Sequence, residues 1–123
     1  KLFKDKRLNW SDAKSHCESH GLILAEPSDA VALVMRNYLV ENQGLNNDVW
    51  LGGKADGSKF VWQDGGKTLR NDSPLWHPNR SPGSQTEYTA TKYCLMFMDD
   101  DYPGTSYIPS HCSSTEYPLC EAK

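Results

Sequence analysis

The chain has 123 residues, of which 37% are hydrophobic and 24% charged, and its formal net charge at pH 7 is −3. This composition predicts one globular domain over residues 1–123 rather than a disordered chain. The sequence has no concentrated cluster of basic residues, so we expect no nucleic-acid binding. It also has no apolar run near the roughly 20 residues of a membrane span, so we expect no membrane insertion.

The first helix is predicted over residues 10–20. Asn9 or Ser11 can cap its N-terminus with a side-chain oxygen, and Gly21 is the glycine that commonly follows a helix end. Its apolar residues recur at helical spacing and are expected to face the core. They are Trp10, Ala13 and Cys17.

A second helix is predicted after Pro27. Ser28 is the expected N-cap, and Asp29 lies in the first turn, where the helix dipole favours a carboxylate. Gly44 is expected to close this helix. One apolar stripe at helical spacing is expected to face the core, and it consists of Val31, Val34, Met35 and Tyr38.

Short apolar runs in the rest of the chain predict strands. They cover residues 49–51, 60–62, 93–98 and 117–120. Because both predicted helices precede these strands, we expect an α+β fold in which two helices pack on small antiparallel sheets. Three tryptophans are expected in the core, namely Trp10, Trp50 and Trp62.

A long segment between Gly65 and Lys92 is rich in Pro, Ser, Asn, Gly and Thr and has no sustained periodicity. Connections longer than about 15 residues are usually functional or disordered. Trp76 argues against disorder, so we predict an ordered functional loop. We expect Trp76 to anchor this loop, and the alternative is a stacking platform for a sugar. Its basic residues suit acidic microbial glycolipids, and they are Lys67, Arg70 and Arg80.

The chain has four cysteines, and no two of them form a CxxC pair. An even number of separated cysteines predicts two disulfides and an oxidising compartment, so we expect a secreted protein. A cytosolic protein with four buried thiols is the alternative. Four cysteines allow three pairings, and the sequence alone does not choose among them.

The order and spacing of these features resemble the C-type lectin-like domain. The resemblance covers nearly the whole chain. It is carried by Trp10, Ala13, Lys14, Cys17, Gly21, Leu24-Ala25, residues 49–53, Asp56, residues 60–62, Gly65, residues 76–79, residues 93–95, Cys112 and residues 119–121. The segment LAEPSD, residues 24–29, resembles the corresponding segment in lectins of crustaceans and other invertebrates. The resemblance implies that fold, with a long ordered loop and the disulfides Cys17–Cys120 and Cys94–Cys112. The chain begins at Lys1, just before the first helix, which fits a mature or trimmed product.

The resemblance also implies a calcium ion that bridges protein and sugar in the long loop. Calcium prefers oxygen ligands. At the family's first ligand triplet this chain has His77-Pro78-Asn79, so an imidazole replaces an oxygen. At the second triplet it has Tyr107-Ile108-Pro109, where the family's Asn and Asp are missing. Glu87 can stand for the family's later Glu. We therefore expect the usual calcium site to be degenerate.

Other residues offer replacement sites. The acidic run 99–101 can form a displaced calcium site with Asn79 or Glu87, and the alternative is a solvated acidic turn. His77 can bind zinc with His111, and the alternative is a surface histidine packed on an aromatic ring. The candidate metal ligands are Asn79, Glu87, Asp99, Asp100 and Asp101. The candidate ligand-binding residues are Trp76, His77, Asn79, Glu87, Asp99, Asp101 and Tyr107.

Three functions follow from this interpretation. The first is a lectin of innate immunity that binds glycans or bacterial envelope components as a pattern-recognition module. The second is a calcium-independent lectin-like domain that binds a protein partner. The third is an enzyme with Glu87 and Asp101 as an acid–base pair. We expect no enzyme, because no nucleophile motif is present and fold analogy gives no support.

Overall fold

The computed structural model describes residues 6–32, 34–35, 48–71, 73, 75–76, 89–97 and 107–122. Helix α1 spans Trp10–Ser19, and residues 29–32 and 34–35 form the second helix. The strands are β1 (Leu22–Leu24), β2 (Val49–Ala55), β3 (Phe60–Trp62), β4 (Thr68–Leu69), β5 (Tyr93–Phe97), β6 (Tyr107–His111), β7 (Tyr117–Pro118) and β8 (Cys120–Ala122). This arrangement confirms the α+β fold class. In the part of the chain that the structure describes, no helix is long and apolar enough to cross a membrane.

Helix α1 begins and ends as its sequence predicts. Of the two expected caps, the structure uses Asn9, whose Oδ1 accepts a hydrogen bond from the amide of Asp12 at 2.9 Å. Gly21 follows the helix with a φ of 73°, a conformation that costs glycine little. The predicted inner face, Trp10, Ala13 and Cys17, is buried.

The second helix starts at the predicted cap. The amide of Val31 donates to Oγ of Ser28 at 3.4 Å, and the amide of Ala32 donates to the backbone oxygen of Ser28 at 2.8 Å. The first bond satisfies an amide of the first helical turn, which has no backbone partner inside the helix, and the second is the first backbone hydrogen bond of the helix. Gly44, the expected end of this helix, lies outside the described residues.

The predicted apolar stripe of the second helix is wrong at two positions. Val31 and Val34 are 49% and 69% exposed, whereas Ala32 is fully buried and Met35 packs against the core. Met35 therefore packs inward as predicted, and Ala32 occupies the inner position expected of Val31. Tyr38 lies outside the described residues.

The strands form two sheets. In the main sheet the order is β4-β3-β2-β5-β6 with antiparallel neighbours, and β7 pairs in parallel with β2. Strands β1 and β8 pair antiparallel as a second sheet. Each of the four predicted runs contains a strand, but the run 117–120 is divided between β7 and β8, which lie in different sheets, and β1, β4 and β6 were not predicted as strands. Pro109 weakens the sequence signal for β6, because proline has no amide hydrogen to donate to a neighbouring strand. A strand at the edge of a sheet tolerates the loss of this donor.

The adjacent glycines of β2 allow two close approaches. A Cβ at Gly52 would lie 2.9 Å from the backbone oxygen of Leu24, and one at Gly53 would lie 2.9 Å from Cδ2 of Leu95. The amide of Gly52 also donates to the backbone oxygen of Ala25 at 2.9 Å. These contacts bring β1 and β5 tightly against β2, and the register of β2 with β5 shifts in the same region.

Both disulfides have the pairing that the family resemblance implied. Cys17–Cys120 joins α1 to β8 across a sequence separation of 103, with Cα atoms 5.6 Å apart. Cys94–Cys112 joins β5 to the turn after β6, with Cα atoms 5.0 Å apart. The three tryptophans expected in the core are buried, at 5%, 0% and 8% exposure for Trp10, Trp50 and Trp62.

Candidate functional site

The described start of the long loop is attached to the first residue of β6. The amide of Tyr107 donates to the backbone oxygen of Leu75 at 2.8 Å, and Trp76 and Tyr107 form an isolated parallel bridge. The amide of Trp76 donates to the backbone oxygen of Ser73 at 3.3 Å. We call residues 70–76 that the structure describes, together with Tyr107, the loop base. Its hydrogen bonds hold the start of the loop against the sheet.

Trp76 is the anchor of the loop base. Its side chain is 4% exposed, and its Nε1 donates to the backbone oxygen of Arg70 at 2.8 Å. The ring centroid lies 5.2 Å from that of Phe60 and 5.7 Å from that of Tyr107, distances typical of aromatic packing. The ring therefore anchors the start of the loop to the core, as expected from the sequence. The stacking role does not fit this arrangement, because the ring has almost no exposed face.

Tyr107 was expected among the ligand-facing rings, and the structure places it in the core. Its side chain is fully buried, and its hydroxyl donates to Oδ1 of Asp29 at 3.3 Å. Burial, together with the nearby carboxylate of Asp29, raises the pKa of Tyr107 above its ordinary value. The hydroxyl therefore stays protonated and acts as a donor. A direct ligand contact from Tyr107 does not fit this position.

Asp29 is the residue that sequence reasoning missed. Its Oδ1 accepts from Tyr107, and its Oδ2 accepts from the hydroxyl of Ser73 at 3.0 Å. One carboxylate therefore connects the second helix, the loop base and β6. The sequence suggested only a role in the helix dipole, because no local pattern brings together residues 29, 73 and 107.

The family's second calcium-ligand triplet has no counterpart in β6. Ile108 is 1% exposed and has no side-chain oxygen, and the fully buried Pro109 has none either. Of residues 107–109, only Tyr107 has a side-chain oxygen, and its hydroxyl donates to Asp29. The described part of the donor set therefore does not fit the family's usual calcium site.

The other expected site residues lie outside the residues that the structure describes. They are His77, Asn79, Arg80, Glu87, Asp99, Asp100 and Asp101. Among the described residues, no group of three or more His, Cys, Asp or Glu side chains is arranged to hold a metal ion. His111, the expected zinc partner of His77, is exposed, and its ring lies 5.0 Å from that of Tyr93.

A second surface lies beside the loop base, on the hairpin of β3 and β4. A groove of about 310 Å³ opens there, and its described lining consists of Lys59, Thr68, Leu69, Arg70 and Asn71. We call it the hairpin groove. Leu69 is buried, and Nδ2 of Asn71 donates to the backbone oxygen of Ser58 at 3.3 Å. Lys67, which was expected to make the long loop basic, is exposed.

Comparison with known proteins identifies similar chains. No family model matches the chain. A lectin from Polyandrocarpa misakiensis is 32% identical over 88 residues, which cover 69% of this chain and 70% of that protein. The solved structure of TC14, a C-type lectin from the same tunicate, covers 100% of this chain and 97% of its own, with a TM-score of 0.72 and 22% identity. The structure of SPL-1 in complex with GlcNAc covers 94% of this chain and 79% of its own, with a TM-score of 0.70 and 23% identity.

Proposed function

Since the chain belongs to the C-type lectin family, we propose that it is a carbohydrate-binding protein and not an enzyme. The observation that carries this proposal is the 32% identity to the tunicate lectin over 88 residues. The shared fold supports it, because the solved C-type lectin structure from that tunicate matches the whole of this chain. SPL-1, a structural neighbour, is bound to GlcNAc, which makes that sugar a reasonable first probe.

We propose that glycans bind at the long loop. Trp76 and Tyr107 support this proposal, because both rings are buried and connect the loop base to the sheet. A loop whose described start is held in place loses less conformational freedom there when a ligand arrives. The proposed contacts come from the candidates that the sequence identified, namely His77, Asn79, Glu87, Asp99 and Asp101.

The proposed site does not use the family's usual calcium ligands. The buried Ile108 and Pro109 supply no side-chain oxygen, and the hydroxyl of Tyr107 donates to Asp29. Calcium that binds here has to use other oxygen ligands, for which the acidic run 99–101 with Asn79 or Glu87 is our proposal.

The two disulfides support a secreted protein, because such bonds persist in oxidising compartments. We propose that its ligands are glycans or bacterial envelope components and that it acts in innate immunity.

The composition of β6 also favours a second candidate, a calcium-independent domain that binds a protein partner. This strand has lost the family's Asn and Asp ligands and places Ile108 and Pro109 in the core. A domain that no longer needs calcium for sugar binding would have no reason to keep those ligands. This candidate predicts binding that is insensitive both to chelators and to free sugars.

Calcium and glycan binding can be measured on the same purified protein. Metal-stripped chain is titrated with calcium by calorimetry and then applied to immobilised GlcNAc and to bacterial cell-wall preparations, with and without EDTA. We expect retention on at least one of these glycan surfaces that EDTA does not abolish. Retention that EDTA abolishes, together with saturable calcium binding, would favour the displaced calcium site on the acidic run 99–101 over calcium-independent binding. Retention on none of the surfaces would overturn the lectin proposal and favour the protein-binding candidate.

A further inference from the structure

A short motif at the start of α1 has no role in the proposed glycan site. Residues 9–11 are Asn-Trp-Ser, the N-x-Ser pattern that accepts N-linked glycans in secreted proteins. The same pattern occurs at residues 71–73 and 79–81. Each of those two motifs is followed directly by a proline, which restricts the backbone of the serine before it. Ser11 is followed by Asp12 instead, so the first motif does not have this restriction.

Asn9 can carry a glycan and cap the helix at the same time, because the two roles use different atoms. The cap uses Oδ1, which accepts a hydrogen bond from the amide of Asp12 at 2.9 Å. An N-linked glycan is attached to Nδ2 and leaves the amide oxygen in place as an acceptor. Asn9 is half-buried, and both Ser11 and Asp12 are exposed. The acceptor therefore lies at the surface, and α1 keeps its N-cap after modification.

The second motif has a different environment, beside the hairpin groove. Nδ2 of Asn71, the atom that a glycan would occupy, donates to the backbone oxygen of Ser58 at 3.3 Å, and Oδ1 of the same side chain is buried. Ser73, the third residue of this motif, is 8% exposed, and its hydroxyl donates to Asp29 at 3.0 Å. A glycan on Asn71 would have to leave the folded chain from a packed side chain.

The first motif also lies away from the loop base. The amide of Trp10 donates to the backbone oxygen of Cys112 at 3.0 Å, and Cys112 directly follows the last residue of β6. The loop base contains Tyr107, the first residue of the same strand. A strand rises about 3.3 Å per residue, so the two ends of β6 are about 13 Å apart. A glycan on Asn9 is therefore attached at the other end of β6 from the proposed glycan site.

We propose that Asn9 carries an N-linked glycan and that Asn71 does not. This inference goes beyond the proposed lectin function and depends only on the proposed secretion. In the transfer step, Nδ2 of Asn9 forms a bond to the anomeric carbon of an oligosaccharide carried on a lipid diphosphate. The bond between that carbon and the diphosphate oxygen breaks, the lipid diphosphate leaves, and Nδ2 gives up one proton to the solvent. The product keeps one N–H on Nδ2 and the Oδ1 acceptor that caps α1.

The test locates glycans on the secreted chain. The chain is expressed with a secretion signal in cultured human cells, purified from the medium and treated with peptide N-glycosidase F in water labelled with heavy oxygen. This enzyme converts a glycosylated asparagine to a labelled aspartate, which peptide mass spectrometry identifies. We expect the label at Asn9 in most molecules and none at Asn71. An unlabelled Asn9, or a labelled Asn71, overturns the inference.

Two variants remove the acceptor by different routes while the cap is kept. Ser11→Ala removes the hydroxyl that the motif requires, and Asn9→Asp keeps a side-chain oxygen at the N-cap, where Asp is as favourable as Asn. Both should lose the glycan and should unfold cooperatively on heating, as wild type does. Asn71→Gln is the matched control, since it removes the second motif, and it should keep the glycan. A glycan that persists in Ser11→Ala, or one that is lost in Asn71→Gln, contradicts the assignment to Asn9. The lectin proposal is tested separately, by retention on glycan surfaces.

Discussion

The hydroxyl of Tyr107 donates a hydrogen bond to the carboxylate of Asp29 across 78 positions of sequence, at an oxygen–oxygen distance of 3.3 Å. This contact connects the second helix to β6 and to the loop base. It also explains why a tyrosine in a ligand-binding region of the family faces inward here. The attachment of the loop base to the second helix therefore depends partly on this hydrogen bond.

Removal of this hydroxyl should destabilise the fold. We expect Tyr107→Phe to lower the free energy of unfolding by about 0.5–1.5 kcal/mol, because the ring still fills its space while one hydrogen bond is lost. Urea denaturation followed by tryptophan fluorescence measures the change. Tyr117→Phe is the control, since that ring is only partly buried and packs under Arg7. A loss in Tyr107→Phe no larger than that of the control would contradict the proposed role of the bond.

Stability should fall at alkaline pH because of the same residue. Burial and the Asp29 carboxylate raise the pKa of Tyr107 in the folded state above the unfolded value of about 10. Its contribution is therefore fully present below pH 10 and is lost as the pH rises through the folded-state value. Unfolding free energies measured between pH 8 and 11 should decline more steeply for wild type than for Tyr107→Phe. Parallel curves for the two proteins would show that Tyr107 does not titrate differently on unfolding.

The orientation of the second helix can be tested by paired substitutions. Val31→Ser and Val34→Ser should each change the unfolding free energy by less than about 0.5 kcal/mol, because both side chains are mainly exposed. Ala32→Leu should cost about 1–3 kcal/mol, since Ala32 is fully buried and a larger side chain would overpack the core. Denaturant unfolding of the three variants provides the comparison. A large loss at either valine would restore the stripe that the sequence predicted.

The two disulfides should contribute unequally to stability. In the chain-entropy model, Cys17–Cys120 with its separation of 103 residues contributes about 4.7 kcal/mol, and Cys94–Cys112 with its separation of 18 contributes about 3 kcal/mol. Replacing each pair with serines and measuring urea unfolding should show the larger loss for the first pair. Each double variant keeps the other disulfide and so serves as its control. Equal losses would mean that native contacts, rather than loop closure, determine their effect.

Features with a strong local pattern were predicted from the residues. Asn9 and Gly21 delimit α1, and the apolar run 60–62 predicted β3 with its observed bounds. The tryptophans at positions 10, 50 and 62 were expected in the core and are buried there. The cysteine pairing came from the family resemblance, since the residues alone allowed three pairings.

The remaining features depend on contacts between distant segments. Strand β6 has a weak pattern because it contains Pro109, and it is a strand because β5 pairs with all of its residues from Tyr107 to His111. The candidate site was predicted only in part: Trp76 has the expected role of anchor, but the inward position of Tyr107 was not foreseen. Most other candidates lie outside the described residues, so their roles stay predictions.

By itself, the sequence determined where the helix α1 and several strands begin, and which tryptophans are buried, because hydrophobic periodicity and capping act over a few neighbouring residues. Only the tertiary structure decided which face of the second helix packs inward, where the hydroxyl of Tyr107 finds its acceptor, and that Phe60 pairs with Leu69. Those relations depend on how separate elements pack and on strand register, and short stretches of sequence do not encode either.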